Sequence, residues 1–79
     1  MKVLFFARVR EAAGCAEFNL SADGALTQAE VWAALVKAFP DLAEFRKAAR
    51  LARNETYLLP DELVQPGDEI AVIPPVSGG

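Results

Sequence analysis

From Lys2 to Val9 the chain alternates, with Val3, Phe5, Ala7 and Val9 on one face and Lys2, Leu4, Phe6 and Arg8 on the other. Period-two alternation of this kind predicts a strand. Its second face is bounded by charges, so Leu4 and Phe6 are expected to be partly exposed, an unusual place for large apolar side chains. A loop is expected at Glu11 to Gly14, followed by a second strand over Ala16 to Leu20 with Phe18 and Leu20 inward, closing a hairpin with the first. Thr27-Gln28-Ala29-Glu30 has the form of a capping box, in which a hydroxyl and a carboxylate satisfy the free backbone donors of a helix start. The helix that follows carries Trp32, Leu35, Val36 and Phe39 at i, i+3, i+4 and i+7, one stripe suited to pack across a sheet, and Pro40 ends it. Asp41 to Arg46 is read as a short helical turn. Leu51-Ala52-Arg53 and Thr56-Tyr57-Leu58 flank Asn54-Glu55 as two short strands or one bent hairpin. After the punctuation of Pro60, Pro66 and Gly67-Asp68, the run Glu69-Ile70-Ala71-Val72-Ile73 predicts a last strand with Ile70 and Val72 inward.

The predicted order is therefore ββαββ in an α+β domain: a mixed sheet of four to five strands with one main helix packed across it. First and last strands far apart in sequence, with a helix between them, describe a ubiquitin-like β-grasp. The domain is expected to span residues 1–73, and residues 74–79 are expected to form an extended tail.

Composition narrows the chemistry. The 79 residues suffice for one core, and 53% of them are aliphatic or aromatic, which fills a core without staples. The chain has no histidine and one cysteine, Cys15. That excludes nucleophile–histidine pairs, zinc sites and an internal disulfide, and Cys15 reads as an ordinary loop residue. The five glycines form neither a P-loop nor a dinucleotide fingerprint. The pairs Asp41 with Glu44 and Asp61 with Glu62 read as solvated charge. A formal charge of −3 argues against nucleic acid and for a basic protein partner; Asp61, Glu62, Asp68 and Glu69 read first as a solvated charged rim, with steering of such a partner as the alternative. The apolar run after Met1 is too short for a signal peptide or a membrane span, so the expected location is cytoplasmic, with no membrane partner.

What remains is the terminus, Pro74-Pro75-Val76-Ser77-Gly78-Gly79. Proline donates no backbone hydrogen bond and favours an extended course, so these residues are expected to project. Six residues reach roughly 20 Å at about 3.3 Å each, and two residues without side chains make a narrow tip. A free carboxylate is a poor electrophile, so acyl chemistry at Gly79 requires activation by a partner, most simply as an acyl-adenylate. The chain itself is expected to be no enzyme. Phe6, Tyr57 and Ile73 are expected to form an exposed apolar patch beside the tail, a partner surface.

The opening Lys2-Val3-Leu4-Phe5-Phe6-Ala7-Arg8-Val9-Arg10-Glu11, the ending Gly67-Asp68-Glu69-Ile70-Ala71-Val72-Ile73-Pro74-Pro75-Val76-Ser77-Gly78-Gly79, and Asn54 after Ala52-Arg53 resemble the small, sulfur-carrying subunit of molybdopterin synthase. Arg53 stands where that family more commonly has a hydrophobic residue. The resemblance implies that an adenylating enzyme similar to ubiquitin-activating enzymes uses ATP to activate Gly79, and that a sulfur donor protein then replaces AMP to leave a thiocarboxylate. It implies that the large catalytic subunit admits the tail and passes the sulfur to cyclic pyranopterin monophosphate. No cofactor is then bound by this chain. The contacts expected from it are Phe6, Tyr57, Ile73, Pro74, Pro75, Val76 and Ser77, with Gly78 and Gly79 at the tip. The rival readings are the sulfur carrier of thiamine-thiazole synthesis, a ubiquitin-like modifier joined to proteins through Gly79, and a binding module with an idle tail.

Overall fold

The first and last apolar runs of the chain lie side by side. The structure, a computed structural model, describes residues 1–75. Strand β1 (Lys2–Phe5) runs parallel to β5 (Glu69–Ile73), with Val3 opposite Ile70 and Phe5 opposite Val72. Those four side chains are the inward half of the alternation, at most 2% exposed. Strand β2 (Glu17–Asn19) pairs antiparallel with β1, and β3 (Arg50–Arg53) pairs antiparallel with β5 and with β4 (Thr56–Tyr57). The sheet order is β2-β1-β5-β3-β4, a mixed five-stranded sheet of the β-grasp type.

The first expected strand is corrected. It ends at Phe5, and residues Ala7–Ala13 form a helix, α1, so β1 and β2 pair across a helical connection rather than a plain hairpin. Val9, Ala12 and Ala13 turn toward the core from this helix, at the i, i+3, i+4 spacing of a helical face. Gly14 stops it at φ 78°, its N–H bonded to the Arg10 carbonyl at 2.9 Å, the left-handed cap that glycine adopts without strain. Ala7, expected inward, is exposed and sits at φ 49° where the chain turns from strand to helix.

Helix α2 (Gln28–Ala38) starts as expected. The Thr27 hydroxyl accepts the Glu30 N–H at 3.1 Å and the Glu30 carboxylate accepts the Thr27 N–H at 2.8 Å. Trp32 and Leu35 are buried, joined by Val31, which the expected stripe omitted, while Val36 and Phe39 are half-buried. The Phe39 ring stands edge-on to Phe5 and Phe18, with centroids 5.5 and 5.1 Å apart, the favourable aromatic geometry. Pro40–Phe45 is a 3-10 helix that buries Leu42 and Phe45.

Arg53 explains the loop from Leu58 to Asp68. Its guanidinium donates to Asp68 Oδ2 at 2.8 Å, Glu62 Oε2 at 2.7 Å and the Leu63 carbonyl at 3.0 Å. Asp68 also accepts the Gln65 N–H at 2.8 Å, and Glu62 accepts the Leu59 N–H at 3.0 Å. Gln28 ties the same loop to α2 through the Leu59 carbonyl at 2.6 Å. The Gln65 N–H first, and Arg53 beside it, hold the Asp68 carboxyl below its usual range.

Two stability predictions follow from these contacts. A depressed carboxyl pKa stabilises the fold above the unfolded value, and that stability is lost as pH falls through the folded one. Asp68→Asn is therefore expected to lower the urea midpoint at neutral pH, with the gap to the parent closing as pH falls below the ordinary carboxylate range; a gap independent of pH contradicts the charge argument. Asn54 and Glu55 form the two-residue turn between β3 and β4, both at positive φ, 53° and 67°. A two-residue hairpin turn of this kind favours Asn-Gly, so Glu55→Gly is expected to raise stability by about 0.5–1 kcal/mol in urea unfolding.

Candidate functional site

One face of the sheet is covered by α2, and the other is open. Because pairs directly opposite share a face, register places its residues in rows. Asn19, Lys2 and Glu69 line up at one end; Glu17, Leu4, Ala71, Ala52 and Tyr57 cross the middle; Ile73 and Arg50 stand at the other end, where β5 finishes. Phe6 lies one residue past β1, at the start of α1, not on the outward face of a longer strand. It nevertheless joins the same surface. A shallow depression is lined by Leu4, Phe6, Ala71, Ile73, Ala52 and Tyr57, with Asn54, Glu55 and Glu69 on its margin.

The expected trio of Phe6, Tyr57 and Ile73 is thus brought together. Phe6 is 45% and Tyr57 46% exposed, so each keeps half of a large ring available after folding is complete. Leu4, Ala71 and Ala52 complete the depression and were not among the expected contacts. Their signal was the outward alternation of small or apolar residues on three neighbouring strands, legible only once the register is known. Pro74 is half-buried and Pro75 exposed as the chain leaves β5 beside this surface. Val76, Ser77, Gly78 and Gly79 lie outside the described residues.

The polar end of the face is internally matched. Lys2 Nζ lies 3.1 Å from Glu17 and 4.0 Å from Glu69, and its ammonium pKa is raised, by the Glu17 hydrogen bond first. Of the four carboxylates read as a solvated rim or, alternatively, as steering charge, Glu62 and Asp68 are occupied by Arg53 and Glu69 faces Lys2, leaving Asp61 exposed. A second depression, between α1 and the 3-10 helix, is lined largely by Arg8, Glu11, Asp41 and Glu44. Cys15 is a half-buried free thiol after the α1 cap. Among the described residues no group of three or more Cys, Asp and Glu is arranged to hold a metal ion, and no helix is long and apolar enough to cross a membrane.

The chain is 43% identical over 79 residues to the molybdopterin synthase sulfur carrier subunit of Arabidopsis thaliana, covering 100% of this chain and 82% of that protein. It is 38% identical over 82 residues to the protein of the same name from Homo sapiens, covering 100% and 93%. Its fold superposes on the crystal structure of SAMP1, a small archaeal modifier protein from Haloferax volcanii, with a TM-score of 0.84 and 32% identity over 100% of this chain and 98% of that one. The ThiS family model matches residues 3–79, and the chain belongs to the ThiS family.

Proposed function

We propose that this protein is a sulfur carrier of molybdenum cofactor assembly that acts in the cytoplasm. The observation that carries the reading is the conjunction of full-length similarity to molybdopterin synthase sulfur carrier subunits with an exposed apolar face at the point where the Gly-Gly tail leaves the sheet. A subunit by name requires a companion subunit. Phe6, Tyr57 and Ile73, with Leu4 and Ala71, dock against the large catalytic subunit, and Pro74 to Ser77 thread Gly78 and Gly79 into its active site.

The chemistry occurs at Gly79. An oxygen of its carboxylate attacks the α-phosphorus of ATP on an adenylating partner, and pyrophosphate leaves. A sulfur nucleophile at the oxidation level of sulfide, delivered by a donor protein, then attacks the acyl carbon and expels AMP, giving a thiocarboxylate. Sulfur is softer and more nucleophilic than the oxygen it replaces; it attacks a carbon of cyclic pyranopterin monophosphate in the large subunit and displaces an oxygen there, and water then cleaves the acyl–sulfur bond, which leaves the sulfur on the pterin and restores the Gly79 carboxylate. The folded body holds no cofactor and performs none of these steps; it positions the terminus.

A second reading rests on the SAMP1 likeness, in which Gly79 is joined to lysines of other proteins. It shares the activation step and differs in the acceptor.

Incubation with the activating enzyme, ATP and a sulfur source is expected to replace one oxygen by sulfur at the C-terminus, read by intact mass. Removal of Gly79 is expected to abolish both that shift and dithiolene formation; normal product from the truncated chain would end the proposal. Higher-mass conjugates in lysate that vanish with Gly79 would favour the modifier reading. Phe6→Asp is expected to weaken the complex with the large subunit by roughly 10-fold or more while leaving the fold intact, since binding, not folding, uses the exposed half of that ring.

A further inference from the structure

The chain carries a net charge of −3, yet the residue that β3 places beside the departing tail is a cation. Arg50 is the residue directly opposite Ile73 across the β3–β5 pair, so it stands against the last described strand residue before the tail. Its guanidinium lies over the Tyr57 ring, 4.3 Å from the centroid. That contact holds the cation on the rim of the apolar depression rather than letting it wander in solvent. Arg46 and Lys47 precede it, both exposed, and Arg46 turns away to the Ala29 carbonyl of α2 at 3.5 Å, which leaves Arg50 as the cation beside the tail. Among the described residues, ion pairs involve only Lys2 and Arg53. The carboxylates of the open face lie elsewhere. Glu17 and Glu69 are gathered by Lys2, and Glu55 sits in the turn at the far end of β3 from Arg50.

We infer that Arg50 is a specificity-determining residue of the docking surface: it meets a carboxylate on the rim of the partner's tail channel, so the matching partner surface is apolar with an acidic margin. The inference rests on the sulfur-carrier reading and adds to it the charge of the partner's surface. Reach decides against the phosphates of ATP as the anion. A tail of six residues that enters a narrow channel in extended form would carry its carboxylate roughly 20 Å from the sheet, and a nucleotide met there would be out of reach of an arginine at the root. A protein carboxylate at the channel mouth is within range. Arginine stacked on an aromatic ring is also pre-ordered to present its fork, which lowers the side-chain entropy lost on binding.

The test uses the full chain with the large subunit of molybdopterin synthase from the same organism, with affinity and association rate measured at about 50 and about 300 mM NaCl. The parent is expected to bind faster and more tightly at the lower salt. Arg50→Glu is expected to reduce affinity roughly 10-fold or more at low salt, chiefly through the association rate, and to flatten or invert the salt response. Arg50→Gln, which keeps a polar side chain of similar length without charge, is expected to fall between them; because loss of packing on Tyr57 does not depend on salt, the salt response separates a charge role from a structural one. Parental affinity and salt response in Arg50→Glu and Arg50→Gln, beside weakened binding by Phe6→Asp, would overturn the inference while leaving the docking reading in place. Tighter binding by Arg50→Glu would overturn it too, by showing a basic margin on the partner. Failure of the parent chain to bind the large subunit removes the docking reading and this inference together.

Discussion

The parallel pairing of β1 with β5 is the constraint on which the rest of the molecule depends. It joins Val3 to Ile70 and Phe5 to Val72 at the centre of the sheet, strands separated by nearly the whole chain. Such pairing requires a long crossover, here supplied by α2 and the segments around it. Its direction also decides the exit of the tail. Since both strands finish at the same end, the chain beyond Ile73 departs next to Phe6, where β1 turns into α1. Antiparallel pairing would have released it at the opposite end of β1, beside Lys2 and Asn19. The apolar surface and the tail are neighbours because two strands point the same way.

Much of this was legible from local pattern. The capping box at Thr27 and Glu30, the inward pair Ile70 and Val72, and the grouping of Phe6, Tyr57 and Ile73 all follow from spacing and from the order of elements. Helix α1 was not legible in the same manner. Val3, Phe5, Ala7 and Val9 satisfy strand alternation, but Val9, Ala12 and Ala13 satisfy a helical face equally well, and Gly14 closes it. Short segments fit both periods, and the left-handed cap was the informative residue. Ala52, Ala71 and Arg50 were invisible as site residues for another reason. Their importance comes from register between strands distant in sequence, which no local window contains. The chemistry of Gly78-Gly79 was read from residue types and from the resemblance, and those residues lie outside the described structure.

Charge illustrates how a summed property misleads where placement does not. A net charge of −3 pointed toward a basic partner, whereas Asp61, Glu62, Asp68 and Glu69 read one by one as a solvated rim. Arg53 draws Glu62 and Asp68 inward to secure the loop after β4, and Lys2 does the same for Glu17 and Glu69 on the open face. Exposed pairs such as those of Lys2 contribute little to stability, but they remove charge from the surface a partner meets. The role of Arg53 is accordingly structural. A hydrophobic residue there would pack inward, whereas arginine reaches the end of the sheet and gathers three loop segments through Glu62, Leu63 and Asp68.

The period of a strand lets one short segment serve two purposes. In β1 and β5, Val3, Phe5, Ile70 and Val72 build the core, while the intervening Leu4, Ala71 and Ile73 form the open face. Side chains on the inner face carry the hydrophobic stabilisation; those on the outer face retain accessible apolar area that folding does not need. Stability and recognition are thereby assigned to alternate residues of the same strands. Small outward residues, Ala71 and Ala52, keep the depression open between larger neighbours, Phe6 and Tyr57, which makes the surface a concavity rather than a ridge. A partner that fills it is held at a fixed distance from Ile73, and a tail of set length then delivers its end group to a fixed depth. Under the carrier reading, the body acts as a ruler whose zero is the final hydrogen-bonded residue of β5.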